Sequence, residues 1–214
     1  MPFYGCAPSG LSLARARYRT LIVSAFYMAC ALLSCVGRAA AQSVAASSGT
    51  RLEAVMASIR ARDPQAVPAL TAQFAGEPQP SIRAWIVRGV AALGAPQGPA
   101  LFQSALQDSS PLVRMAAVEA LAKSSGAGAV PDLTALLAAE NNAGVRHAAA
   151  AALGSIKTPA SAAALQQALG EDADPNVRIQ AARSLRRHGA AGKRAAKGAR
   201  NDQDPRVRAV ANEP

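Results

Sequence analysis

Few side chains in this 214-residue sequence are of types suited to catalysis or metal binding, and most of them stand alone. Its three cysteines, Cys6, Cys30 and Cys35, all precede residue 42, so the rest of the chain can hold no disulfide, cysteine zinc site or thiol nucleophile. The two histidines, His147 and His188, are followed by Ala148 and Gly189 rather than by carboxylates, a weak pattern for metal ligation. A serine nucleophile would need a histidine in defined geometry, and neither histidine has a serine-containing elbow motif beside it. Walker-type and Rossmann-type glycine loops do not occur in the sequence. The expectation is therefore no catalytic, cofactor-binding or metal-ligating residue. One reactive type does recur: Arg51, Arg83, Arg114, Arg146, Arg178 and Arg208 follow one another at intervals of 30 to 32 residues. A guanidinium presents a planar fork that matches a carboxylate. These arginines are expected to bind acids or carbonyls in adjacent turns, such as Asp108 or Asp172, as architecture rather than as a ligand site.

A constant period of this length implies a solenoid, in which each unit buries its apolar face only against its neighbours. The flanking residues keep the same phase. Ile82, Val113, Val145, Val177 and Val207 precede the arginines, and Val90, Leu121, Leu153 and Leu185 follow seven residues later. With Ala117, Ala149 and Ala181 between them, these positions line one stripe of a helix. A second stripe pairs Leu70 with Phe74, Phe102 with Leu106, Leu133 with Leu137 and Leu165 with Leu169. Each unit therefore holds two amphipathic helices. Pro80, Pro111, Pro175 and Pro205 suit a first helical turn, and Ser110, Asn142, Asp174 and Asp204 suit the N-cap before it, with Gln79 at the same position in its unit. Gly94 and Gly154 read as stop signals.

These residues resemble the HEAT repeats, in particular the short subclass known as PBS-lyase HEAT-like repeats. The resemblance rests on Asp174-Pro175-Asn176-Val177-Arg178 with Ala181, Ala182 and Leu185, and on Val145-Arg146 with Ala149, Ala150, Leu153 and Gly154. It implies an all-α, right-handed α-solenoid of about five helical hairpins over residues 50–214, ending in a partial helix from Pro205. It says little about function, because repeat folds host many activities. In the similar deoxyhypusine hydroxylases, His-Glu pairs hold two irons, and this chain departs from that pattern at both histidines. A lyase- or hydroxylase-related enzyme is the least favoured expectation.

Residues 1–41 have a different character. Arg15, Arg17 and Arg19 precede an apolar run from Leu21 to Val36, and Ala39-Ala40-Ala41 offers a cleavage site before Gln42. This reads as an export signal directing the protein to the periplasm, followed by a short linker over 42–49. Two alternatives stay open: an uncleaved inner-membrane anchor, and lipidation at Cys35, since Leu32-Leu33-Ser34-Cys35 resembles a lipobox. Membrane contact is expected only through this leader.

Charge and aromatic content then point to partners. The whole chain carries 23 Lys and Arg against 13 Asp and Glu, and the excess is concentrated between Arg178 and Arg208. There Arg183, Arg186, Arg187, Lys193, Arg194, Lys197 and Arg200 form a candidate contact for an anionic surface, lipid or polysaccharide. Terminal repeats need polar outer faces, so capping explains the same charges. Lys197 and Asn201 stand where earlier units have Leu or Phe, which predicts a frayed or solvated end. Nucleic acid is disfavoured, because export separates the chain from it and no aromatic accompanies the basic segment. Past the leader the aromatics are Phe74, Trp85 and Phe102, and Trp85 is the candidate anchor for an envelope protein partner. The leading expectation is thus an exported, non-catalytic interaction scaffold, its partner face on the second helices. The register itself is testable: Leu133→Asp buries an unpaired charge and is expected to unfold the middle of the stack, whereas an unchanged thermal melt would refute the register.

Overall fold

A computed structural model describes residues 47–213. The expected leader over 1–41, the cleavage site before Gln42 and Cys35 lie outside the described residues. From Arg51 onward the chain forms one compact unit. Its helices are α1 (Ser48–Arg60), α2 (Val67–Gly76), α3 (Pro80–Leu93), α4 (Gly98–Ala105), α5 (Pro111–Ser125), α6 (Val130–Ala139), α7 (Ala143–Ser155), α8 (Pro159–Glu171), α9 (Pro175–Arg186), α10 (Gly189–Ala196) and α11 (Pro205–Asn212). No strand occurs among the described residues. α1 starts at Ser48, two residues before the expected boundary, because the Ser47 hydroxyl accepts the Thr50 amide proton and so caps the helix early.

Odd-numbered helices are the first members of their units and even-numbered ones the second. In the first layer α3, α5, α7, α9 and α11 pack side by side in sequence order. α6, α8 and α10 follow one another in the second layer, and α4, α6 and α8 each also pack against the first helix that follows. The expected stripes face inward. Val113, Val145, Val177 and Val207 are fully buried, as are Leu133 and Leu165, while Phe102 and Leu70 are nearly so. At roughly 25 cal/mol per Å² of apolar surface, these larger side chains supply most of the burial energy that the alanine positions cannot.

Alanine has a separate role in the interior. Ala116, Ala117, Ala149, Ala150, Ala181 and Ala182 have no exposed surface. Small side chains there let the first helices approach closely. Gly154 carries this to its limit: it lies inside α7, one residue before its end, and a Cβ on it would overlap the side chain of Ser184 on α9. Its purpose is close packing, which corrects its reading as a stop signal. Gly94 does terminate α3, in the left-handed region at φ 65°.

Capping follows the sequence with one exception. The side chains of Asn142, Asp174 and Asp204 accept amide protons of the first turns of α7, α9 and α11. Ser110 occupies its N-cap position in an extended conformation without a side-chain cap bond. α8 begins with a reciprocal Thr158–Ser161 capping box, and the buried Ser161 hydroxyl also donates to the Ile156 carbonyl.

Of the two expected outcomes for the last complete unit, a frayed or a solvated end, the structure has the solvated one. Lys197 and Asn201 are exposed, yet the segment is ordered as a 3-10 helix, Lys197–Asn201, packed against α11. The tighter turn brings Ala196 and Ala199 inward in place of the larger pair. Glycine positions provide a paired test of this packing. Gly154→Val is expected to cost about 2 kcal/mol by overpacking against Ser184. Gly170→Ala, where a Cβ would meet nothing within 4 Å, is expected to hold or raise the melting temperature.

Candidate functional site

The regular arginines form a continuous internal ladder. Arg83 donates from Nε and Nη2 to the two carboxylate oxygens of Asp108, at 2.8 Å each. From Nη1 it donates to the carbonyls of Glu77 and Pro78, at 3.0 Å each. Arg114 repeats the arrangement with Glu140 at 2.7 and 2.8 Å, and with the carbonyls of Asp108 and Ser109. Arg146 does so with Asp172, Glu140 and Asn141, and Arg178 with Asp202, Asp172 and Ala173. Arg51 starts the series on Glu77.

Each acid therefore serves three contacts. Its carboxylate accepts a guanidinium fork from the first helix of its own unit. One of its oxygens also accepts the amide proton two residues on: Gln79 for Glu77, Ser110 for Asp108, Asn142 for Glu140, Asp174 for Asp172 and Asp204 for Asp202. Its own carbonyl takes the arginine of the next unit. The carboxylates are well shielded; the Asp172 side chain is 5% exposed. Burial pushes the Asp108 and Asp172 carboxyls up, but hydrogen bonds from Arg83 and Arg146 and from the neighbouring amides outweigh it, leaving both below the usual aspartate range. For Glu140 and Asp202 the hydrogen bonds from Arg114 and Arg178 dominate outright and also hold them low.

Other expected site residues are scattered. Trp85 stands on α3 and is 41% exposed, as is Leu112 on the adjacent α5. An Arg88–Glu119 pair at 3.5 Å joins the same two helices, and Met115 is half-buried on α5. These side chains belong to the first-helix layer, whereas the partner face was expected on the second helices. That second layer carries shallow grooves instead. One, of about 620 Å³, is lined by Gln103, Gln107, Asp132 and Ala135 with the Arg114–Glu140 rung at its edge. Arg183 and Arg187 are exposed on and just after α9, Lys193 and Arg194 on α10, and Lys197 and Arg200 on the 3-10 helix. Arg186 is half-buried, with its Nε 3.5 Å from Glu213 and its Nη1 donating to the Glu213 carbonyl. His147 is exposed on α7, and His188 precedes α10 with its Nε2 buried and without a hydrogen-bond partner. No group of three His, Cys, Asp or Glu side chains able to hold a metal occurs among the described residues.

Sequence reasoning named two ladder acids and missed Glu77, Glu140 and Asp202. A signal was available: an acid stands six residues before each arginine from Arg83 to Arg208. It also missed Gln180 and Ser184, both buried, where Gln180 Nε2 donates to Ser184 Oγ and Ser184 Oγ donates to the Ala150 carbonyl of the neighbouring helix.

With the ladder and the paired helices in view, the comparisons with known proteins agree. The HEAT-repeat profile matches residues 67–154 and again 131–213. The chain belongs to the HEAT-repeat family. No curated protein matches the sequence. Among solved structures, the complex of CpcE and CpcF of phycocyanin lyase from Nostoc sp. PCC7120 is similar at 23% identity and TM-score 0.54, covering 70% of this chain and 97% of that one. Human deoxyhypusine hydroxylase in complex with glycerol is similar at 17% identity and TM-score 0.41, covering 75% of this chain and 76% of that one. The first likeness shows the fold.

The HEAT-repeat ladder makes stability depend on acid. Asp108, Glu140, Asp172 and Asp202 titrate below their ordinary values in the folded chain, so their stabilisation is complete above the unfolded carboxylate pKa near ~4 and is lost as pH falls through the folded values. Melting temperature is expected to stay level from about pH 7 to about pH 5 and to fall progressively below about pH 4. Asp172→Asn is expected to reduce that slope and to destabilise the stack at neutral pH by roughly 3 kcal/mol, because it strands a half-buried guanidinium.

Proposed function

We propose that this HEAT-repeat protein is an exported, non-catalytic scaffold that binds a partner protein in the bacterial envelope through its first-helix layer. One observation carries the reading. The ladder arginines from Arg51 to Arg178 and the five ladder acids are spent on one another, while the exposed large hydrophobic side chains among the described residues, Trp85 and Leu112, stand on adjacent helices. Aromatic side chains are enriched among the anchors of protein interfaces. Export rests on the arginine-flanked apolar run before Gln42.

A second reading is supported by charge. Arg183, Arg187, Lys193, Arg194, Lys197 and Arg200 are exposed, and none of them takes part in an ion pair among the described residues. Such a surface would hold anionic lipid or polysaccharide, with an affinity that falls steeply with salt.

Intact mass of the native protein in separated cell fractions, followed by cross-linking in the envelope fraction, tests these readings. A species starting at Gln42 is expected, cross-linked to one protein in a salt-insensitive manner. Trp85→Ala combined with Leu112→Ala is expected to reduce that capture by about tenfold or more, with an unchanged thermal melt. An unprocessed species in the cytoplasm overturns the envelope assignment. Capture that survives the double substitution overturns the docking face, and salt-sensitive binding to anionic vesicles favours the second reading.

A further inference from the structure

The second helices of the middle units carry charge of one sign. α4, α6 and α8 contain no lysine or arginine, and their charged side chains are Asp132 and Glu171, while the whole chain has a formal net charge of +10. A groove of about 620 Å³ between α4 and α6 has Asp132 in its wall, and one of about 370 Å³ between α6 and α8 has Glu171 in its wall. The two adjoin, since Ala139, Glu140 and Asn141 line both. The cations at their edges, Arg114 and Arg146, are committed to the rungs with every nitrogen of their guanidinium groups. Asp132 and Glu171 form no ion pair among the described residues; each accepts only from a glutamine amide, Gln103 Nε2 at 3.5 Å and Gln167 Nε2 at 3.0 Å. Asp132 suits the first turn of α6, but Glu171 lies in the last turn of α8, where a carboxylate opposes the helix dipole. Helix stability therefore does not account for Glu171.

We propose that these adjoining grooves are a docking site for an extended, arginine- or lysine-bearing segment of a partner protein, whose cationic side chains pair with Asp132 and Glu171. Charge sets the class of occupant. With the ladder arginines neutralised by their own acids, the charges left over in the groove walls are carboxylates, which complement a cationic chain. The amides set its conformation. Gln107 and Asn141 are exposed, and their side chains make no hydrogen bond among the described residues. A carboxamide offers two donors and an acceptor, which match the N–H and C=O groups of an extended backbone. A helical occupant has those groups already paired within itself. Ala135, Ala138 and Ala139 are exposed between the polar side chains and leave room for a backbone to approach. The site uses neither Trp85 nor the exposed cations from Arg183 to Arg200, so it does not rest on either reading given above.

The probe is a fluorescently labelled peptide of serine and threonine with two separated arginines, titrated into the full-length protein and followed by anisotropy. Binding is expected at low salt and is expected to weaken as salt screens the pairs. Asp132→Asn combined with Glu171→Gln is expected to weaken it by about tenfold. Replacing both peptide arginines by citrulline, which is neutral, is expected to cause the same loss, with no further loss when the two changes are combined. Glu53→Gln with Glu119→Gln removes two charges from exposed positions outside the grooves, and is expected to leave the affinity within about twofold. An equal loss in the two double variants overturns the proposal, because net charge alone then governs binding. Equal affinity for the arginine and citrulline peptides, or no binding at low salt, overturns it too. Self-association of the full-length protein that Asp132→Asn with Glu171→Gln abolishes, and that the peptide does not displace, would assign the grooves to a second copy of the chain and also overturn it. The comparison of the two peptides uses the unaltered protein, so it decides the matter even if a substitution disturbs α6 or α8.

Discussion

A guanidinium that holds a carboxylate on one edge and two carbonyls on the other sets the geometry of this solenoid. Helix packing alone permits a range of crossing angles and sliding offsets. The rung removes that freedom, because one planar group must satisfy the turn before its helix and the turn after its unit. Lysine could not replace it, since a point charge has no fork with which to fix two directions at once. Each acid caps an amide as well as accepting the fork, so the turns gain order from the bonds that join the units. Desolvation of such a pair is costly unless its remaining donors and acceptors are met. In this ladder they are met from the backbone.

Between the rungs the first helices are built for proximity rather than for buried area. Fully buried alanines on α5, α7 and α9, with Gly154 against Ser184, bring helical backbones close enough for a serine hydroxyl on one helix to reach a carbonyl on the next. Gln180 completes that polar seam. Larger apolar side chains lie on both sets of helices, Leu121, Leu153 and Leu185 on the first and Phe102, Leu133 and Leu165 on the second, where α4, α6 and α8 close over the following unit. Stability is therefore distributed by neighbour contacts, as expected of a quasi-one-dimensional array.

An interior that consumes its own strong hydrogen-bonding groups leaves recognition to what remains outside. On the first layer these are Trp85 and Leu112, on the two helices that the Arg88–Glu119 pair also joins. On the second it is a set of glutamine- and alanine-lined grooves. At the C-terminal end it is a group of exposed cations. The HEAT-repeat fold supplies the framework that carries these surfaces.

Much of the architecture was readable before any coordinate. Period, helix pairing, proline-initiated first turns, the caps at Asn142, Asp174 and Asp204 and the buried stripes are properties of residues within a few positions of one another, so local chemistry and spacing were enough to state them. The arginine spacing also pointed to bonding in the adjacent turns. The rung acids Glu77, Glu140 and Asp202 were marked as well, each six residues before an arginine. Only the tertiary structure decided that Gly154 serves Ser184 on another helix, that Lys197–Asn201 tightens into a packed turn, and that Trp85 faces outward on the first layer. Each of those outcomes depends on atoms brought together from separate helices, and burial or exposure at a given helical position is set by the neighbour that arrives there, which a periodic pattern in one chain segment does not specify.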